Sequence, residues 1–248
     1  MYFGLSEDQK FFQENVSKFL EDQSNLDVIR KITEGEANEI QQEIHDGLVN
    51  LGLGSLLIPE QYGGLGLDLL FATAVSQSLG EGLGPIPFAG SYIMAPLAIM
   101  HGGNQEQKNN YLTKMSENSM RIGVGFSEYI GARDNANISI NDNKISGRAL
   151  FVIDAKDASH LMLSDKNGMI GIVESSSSGI EITELVAVDK TRNFLEVQLK
   201  DVDIDILELT STSKEAIDKS IDAGRIILAA DSLGAVSYTH LRAHETKT

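Results

Sequence analysis

The hydrophobic period of this chain changes near Arg121, and that change limits what it can fold into. Before it, apolar residues recur at helical spacing; after it, to about residue 208, they alternate as in half-buried strands. Helical spacing returns from Ser213. The sequence therefore predicts an α+β protein: an all-α helical domain over 1–120, a middle antiparallel β barrel or sandwich over 121–208, and the first helix of a further helical bundle over 209–235. Residues 236–248 are polar and without period, and hold His240 and His244. They read as a non-native tail, and the chain as cut short near Ala235.

At the junction lies Gly123-Val124-Gly125-Phe126-Ser127-Glu128-Tyr129-Ile130-Gly131-Ala132-Arg133-Asp134. It starts like a strand and breaks into a loop with a hydroxyl, small residues, Arg133 and Asp134. Ligand sites form at such changes of architecture. The loop can offer backbone N–H groups and one guanidinium to an anionic, planar ligand. Taken alone, the plainer reading is a connector.

Local signals fill in the elements. Ser6 with Gln9 makes a capping box for a first helix whose inner face is Phe12, Val16, Phe19 and Leu20. Ile40, Ile44, Leu48 and Leu51 mark a second, ending near Gly52. Asp68 caps a third, Tyr92 to Met100 is a short apolar stretch, and Asn104 with Gln107 caps the next. In the β region, Asn141-Asp142-Asn143 and Asp165-Lys166-Asn167-Gly168 each sit between alternating runs, which predicts two hairpins. Ser213 caps the returning helix, whose Ile217, Ile221, Leu228 and Leu233 form a stripe with nothing after it in the sequence to cover it.

Composition excludes some functions. A formal net charge of −16 without clustered Lys and Arg argues against nucleic acid. A few placed arginines can still hold a small anion at short range. The absence of cysteine removes disulfides, zinc-thiolate sites and thiol catalysis, and agrees with a reducing compartment. There is no signal-peptide pattern and no run near the ~20 apolar residues of a membrane span. A soluble, cytoplasmic protein is expected.

The strongest local motif is Ile58-Pro59-Glu60-Gln61-Tyr62-Gly63-Gly64-Leu65-Gly66-Leu67-Asp68. Its glycines require a backbone that turns tightly or passes close to something. It lacks the third glycine and the preceding strand of a dinucleotide fingerprint. His240 and His244 have the spacing of a shared helix face but no acidic partner between them, so no metal site is expected. Asp189-Lys190-Thr191-Arg192 reads as a solvated turn or as a phosphate or partner contact, and charge alone leaves both open.

The order of helical domain, loop, small β domain and helix, together with these motifs, resembles the acyl-CoA dehydrogenase family over residues 5 to 235. Leu5-Ser6-Glu7-Asp8-Gln9 is similar to its opening helix, and Pro59 through Gly66 to its glycine loop. Pro85-Ile86-Pro87-Phe88 and Asp189-x-Thr191-Arg192 resemble a subgroup acting on branched-chain, dicarboxylyl or steroid side-chain thioesters. The resemblance implies FAD as cofactor, an acyl-CoA substrate dehydrogenated across its α and β carbons, and an electron acceptor such as an electron-transfer flavoprotein. It also implies a homo- or hetero-oligomer working in lipid metabolism.

Residue by residue, the resemblance implies cofactor contacts at Phe126, Ser127, Phe151, Val152 and Ile153, and a substrate contact at Arg133. Ser127 keeps a hydroxyl where the family has threonine, and Phe151 replaces a tryptophan. Ile153 replaces a threonine, Tyr129 a proline, Ala149 a common lysine and Arg133 a serine. The catalytic base is expected beyond Ala235, so no catalytic residue is named. The alternative implied by these departures is a non-catalytic, flavin-poor partner subunit of a heteromeric complex.

Overall fold

A computed structural model describes residues 4–131 and 136–245, with side chains to residue 240. The helical half opens with α1 (Glu7–Gln23). Ser6 Oγ accepts the Gln9 N–H at 3.2 Å, and Gln9 Oε1 accepts the Ser6 N–H at 2.9 Å, so the expected capping box forms. The polar connector that follows contains a helix the periodicity did not reveal, α2 (Leu26–Thr33). Asn25 caps it through the N–H groups of Asp27 and Val28, and Ile29 and Ile32 are its buried residues. Leu26, Ile29 and Ile32 do recur at helical spacing, but eight residues are shorter than the window of about 11–18 residues over which a period is read.

Helix α3 (Asn38–Asn50) buries Ile44 and Leu48 and leads to Gly52, whose φ of +96° turns the chain. The glycine loop after it packs on itself. Gly64 N–H donates to Pro59 O, Gly66 N–H donates to Ile58 O, and a Cβ on Gly64 would lie 2.0 Å from the Ile58 oxygen. Asp68 then caps α4 (Leu69–Glu81) by accepting the Phe71 N–H at 3.0 Å. A π-helical turn over Phe88–Met94 runs into α5 (Ala95–Gly102), and the Asn104–Gln107 capping box starts α6 (Gln105–Ser116).

The β half is an eight-stranded sheet: β1 (Ile122–Gly125), β2 (Ser139–Asn141), β3 (Lys144–Ile153), β4 (His160–Ser164), β5 (Ile170–Glu174), β6 (Ile180–Leu185), β7 (Phe194–Asp203) and β8 (Asp205–Ile206). They lie in the order β6-β7-β3-β1-β4-β5-β8, with β2 on β3. Both expected hairpins are present. Asp142 and Asn143 turn the first with φ of 49° and 58°, and Gly168 turns the second with φ of +87°.

Among the described strands every pairing is antiparallel except β1 with β4, which run parallel from Ile122↔His160 to Gly125↔Leu163. The chain leaves β1 through the short helix α7 (Ser127–Ile130) and the β2–β3 hairpin before returning, and such a crossover delivers a parallel neighbour. The sheet is therefore mixed.

Helix α8 (Glu215–Glu245) begins where Ser213 Oγ accepts the Glu215 N–H, and it runs on through the segment that lacked a period. Its partners come from earlier in the chain. Ser220 Oγ donates to Met94 O at 2.8 Å, and Ser76 Oγ of α4 donates to Ile227 O at 2.7 Å. Ile217 and Ile221 are buried, whereas Leu228 and Leu233 are 42% and 56% exposed. Ile217 and Ile221 thus pack with Met94, Ala98 and Ile99, α4 lies against the helix from Ile227 on, and Leu228 and Leu233 turn away from it. One hydrophobic cluster joins Met94, Ile99 and Leu112 of the helical half to Ile122, Val124 and Met162 of the sheet and Ile217 of α8. No helix among the described residues is long and apolar enough to cross a membrane.

Candidate functional site

The structure brings two of the sequence-predicted segments together at the end of β1. Val124 pairs with Ile153 across β1 and β3, so Phe126 and Ser127, which leave β1, lie beside the last residues of β3. Ser127 Oγ accepts the Leu150 N–H at 3.2 Å and joins the segments directly. Between Ala149 and Val152 the register of β3 against β7 slips in a bulge. Within it Phe151 has φ of +54°, a left-handed conformation costly for a residue with a Cβ. The bulge re-aims one side chain. Phe151 is 38% exposed, while its neighbours Leu150 and Val152 are buried.

The other predicted residues fall differently. Phe126 and Val152 are buried, Phe126 in the cluster shared by helices and sheet and Val152 in the core within the sheet. Ile153 is half-buried. Arg133 lies outside the described residues. Gly123 and Gly125 serve the sheet: added Cβ atoms would lie 2.4 Å from Ala155 Cβ and 2.8 Å from Leu163 Cδ2.

Tyr129 ties the loop to α8. Its hydroxyl donates to Asp218 at 2.7 Å, and Lys214 Nζ stands 5.6 Å from its ring centroid. The Asp218 carboxylate, by holding that proton, raises the tyrosine pKa.

Two residues with no periodic signal organise the surroundings. Asp154, just past β3, accepts the Gly90 N–H at 2.6 Å and the Ser91 N–H at 3.3 Å, clasping the π-helical turn to the sheet. Burial raises its pKa; the Gly90 N–H, Arg192, the Ser91 N–H and Arg121 oppose the rise without cancelling it. The second is Arg192, which ends the Asp189-Lys190-Thr191-Arg192 turn. Asp189 Oδ1 accepts from Thr191 N–H and Oγ1, and the turn sends Arg192 Nη2 to Asp231 of α8 at 2.6 Å. Arg192 thus enters an internal ion pair, while Lys190 of the same motif is exposed.

The Asp154 shift carries a pH prediction. A carboxylate whose folded pKa is raised contributes stability below its unfolded pKa and loses it as pH rises through the folded value. Asp154→Asn keeps a carbonyl acceptor for Gly90 and Ser91 and removes the buried charge. Its stability is expected to exceed the parent's by on the order of 1 kcal/mol at pH 8 and to converge with it towards pH ~4. Urea unfolding across that range checks this; a constant difference with pH would refute it.

A cavity of about 860 Å³ opens on the other side of Asp154, between α3, Pro85–Pro87 and the β6–β7 loop. None of Phe126, Ser127, Phe151, Val152 and Ile153 lines it. No cluster of metal-ligating side chains occurs among the described residues; His244 is outside those whose side chains are described.

Comparison with known proteins agrees with this architecture. Residues 6–119 match the acyl-CoA dehydrogenase N-terminal domain. Mitochondrial isovaleryl-CoA dehydrogenase of Pongo abelii is 23% identical over 275 aligned positions, covering 96% of this chain. The chain spans 64% of that relative's length. The fold is similar to that of butyryl-CoA dehydrogenase from Megasphaera elsdenii, with a TM-score of 0.78 at 20% identity over 99% of this chain and 70% of the other. It is also similar to a glutaryl-CoA dehydrogenase from Mycobacterium smegmatis in complex with FADH2, with a TM-score of 0.76 at 16% identity over 93% of this chain and 62% of the other. Residues 6–119 thus match the N-terminal domain of the acyl-CoA dehydrogenases, and the sheet and helix that follow share the fold of these enzymes.

Proposed function

We propose that this chain supplies the helical and β parts of an FAD-dependent enzyme that dehydrogenates an acyl-CoA thioester across its α and β carbons to the enoyl-CoA. The observation that carries the reading is the Ser127–Leu150 hydrogen bond beside a bulge that exposes the Phe151 ring. These residues fit a planar, largely apolar ring system. Phe151 offers an aromatic face, and Ser127 keeps its hydroxyl proton free to donate because its oxygen is the acceptor for Leu150. Ile153 presents an apolar edge. Phe126 and Val152, buried in the core, offer main chain alone.

Bound FAD supplies the acceptor for the β hydride. The chain's own contribution is to orient and to exclude water. Phe151 covers one face of the ring, Ser127 holds a proton towards an acceptor at its edge, and the Tyr129–Asp218 bond keeps the α7 loop against α8. Arg133 is proposed to contact the acyl-CoA. No residue is assigned as the base that takes the α proton. An electron-transfer flavoprotein is the proposed acceptor, and a homo- or hetero-oligomer the proposed assembly.

Titrating the purified chain with FAD, followed by quenching of flavin fluorescence, tests the cofactor site. Saturable binding is expected, and Phe151→Ala is expected to weaken it by about tenfold, from loss of stacking and apolar contact. Absence of binding would refute this. A second reading, a flavin-poor partner subunit, is favoured by the apolar Ile153 where the family has threonine. Its signature is co-purification with a second dehydrogenase-like chain, this chain carrying no flavin.

A further inference from the structure

The 860 Å³ cavity has the size of a small-ligand site, and its walls are built for a polar ligand. Helix α3 turns Asn38, Gln41, Gln42 and His45 towards it, an i, i+3, i+4, i+7 stripe, while Ile44 and Leu48 face the core. A helix face of uncharged hydrogen-bonding side chains thus lines a half-open cleft. His45 is fixed in it. The Asp46 carboxylate can only accept, so it takes the Nδ1–H at 3.1 Å, and Nε2 then accepts the Tyr92 hydroxyl at 2.8 Å.

The cations across the cavity are unequally committed. Arg192 is paired with Asp231, and Lys156 lies 3.5 Å from Glu184. Arg121 and Lys190 form no ion pair among the described residues. Arg121 lays Nη2 on the Lys156 carbonyl, and its Nε is buried with no hydrogen-bond partner among the described residues. A guanidinium anchored on one carbonyl, lining the cleft and in no ion pair, suits an oxyanion. Glu34 and Asp157, also in the lining, can only accept while ionised, so the ligand must carry donors as well. Pro85, Ile86 and Pro87 add an apolar wall against which a flat ring can lie.

Phosphate, hydroxyl or amino donors, a flat ring and an edge that side-chain amides can read belong together in a nucleotide. We propose that this cleft binds a nucleotide, its phosphates held by Arg121 and Lys190 and its base between Pro85–Pro87 and the amides of α3. The inference is independent of the flavin assignment, because none of the five residues proposed to meet FAD lines this cleft. The acidic surface slows the approach of such a ligand but is screened at the scale of the cavity.

Calorimetric titration of the whole chain with AMP, ADP, UMP and inorganic pyrophosphate tests the proposal. Saturable binding of a nucleotide is expected, weakened at least about tenfold by Arg121→Gln, which is about 1.4 kcal/mol. Lys190→Gln lies on an exposed turn, leaves the fold intact and is expected to weaken the diphosphate more than the monophosphate. Phe151→Ala is expected to leave the affinity unchanged. Any of four results would overturn the proposal: no nucleotide bound at millimolar concentration, pyrophosphate bound as well as ADP, affinity indifferent to both cation variants, or affinity lost in Phe151→Ala.

Discussion

Gly80→Ala is expected to lower the unfolding free energy by about 2–3 kcal/mol, although alanine is the better helix former by about 1 kcal/mol. Gly80 and Gly234 let α4 and α8 approach backbone to backbone. A Cβ on Gly80 would lie 1.9 Å from the Asp231 oxygen, and one on Gly234 would lie 1.9 Å from the Gln77 oxygen. Both obstacles are main-chain atoms of regular helices and cannot turn aside. The Ser76–Ile227 hydrogen bond in the same seam is expected to go with the contact. Gly224→Ala is the control. Its Cβ would meet the Met94 Sδ at 2.5 Å, the far part of a flexible side chain, so its cost is expected to stay below about 1 kcal/mol. Urea denaturation of the three proteins decides the matter. If Gly80→Ala is as stable as the parent, the helices do not pack this closely.

Arg192→Leu is expected to cost about 3 kcal/mol at pH 8, because it strands the Asp231 carboxylate in the interior. The pair is 2.6 Å long, with the two side chains 24% and 19% exposed. Burial already raises the Asp231 pKa, outweighing the opposing pull of Arg192. Without the guanidinium it rises further, so the folded variant takes up a proton as pH falls and its deficit shrinks. The deficit is therefore expected to be full at alkaline pH and smallest below about pH 4. The double variant Arg192→Leu with Asp231→Leu is expected to recover most of the loss, since no charge is left buried. A deficit that is flat with pH, or a double variant no better than the single, would show that the ion pair is not what joins the β6–β7 loop to α8.

Much of the architecture could be read from local chemistry. Ser6 with Gln9, Asp68, and Asn104 with Gln107 begin helices where they stand, because a cap is satisfied by groups within three residues. The hairpins follow their turn residues for the same reason. Helix α2 is amphipathic, but its eight residues are fewer than the window over which a period stands out from a polar connector. The glycine loop was legible as a tight turn, and the structure accounts for it by the loop's own packing against Ile58.

The candidate site was legible only as two separate segments named by resemblance. Nothing in either one shows that Ser127 reaches Leu150, because that contact depends on β1 pairing with β3 across the intervening loop. Nor does a single strand announce a bulge; the slip between Ala149 and Val152 exists only against β7, and it decides which of the five side chains faces out.

The sequence by itself determined the order of helix, sheet and helix and most of the caps and turns, because periodicity and capping act over a few residues. Tertiary structure alone decided the parallel pairing of β1 with β4, the outward turn of Phe151 and the burial of Phe126 and Val152. It also decided the partners of Asp154, Arg192 and α8. Each of these joins residues far apart in the chain, and such contacts are set by which surfaces pack together rather than by any neighbour in sequence.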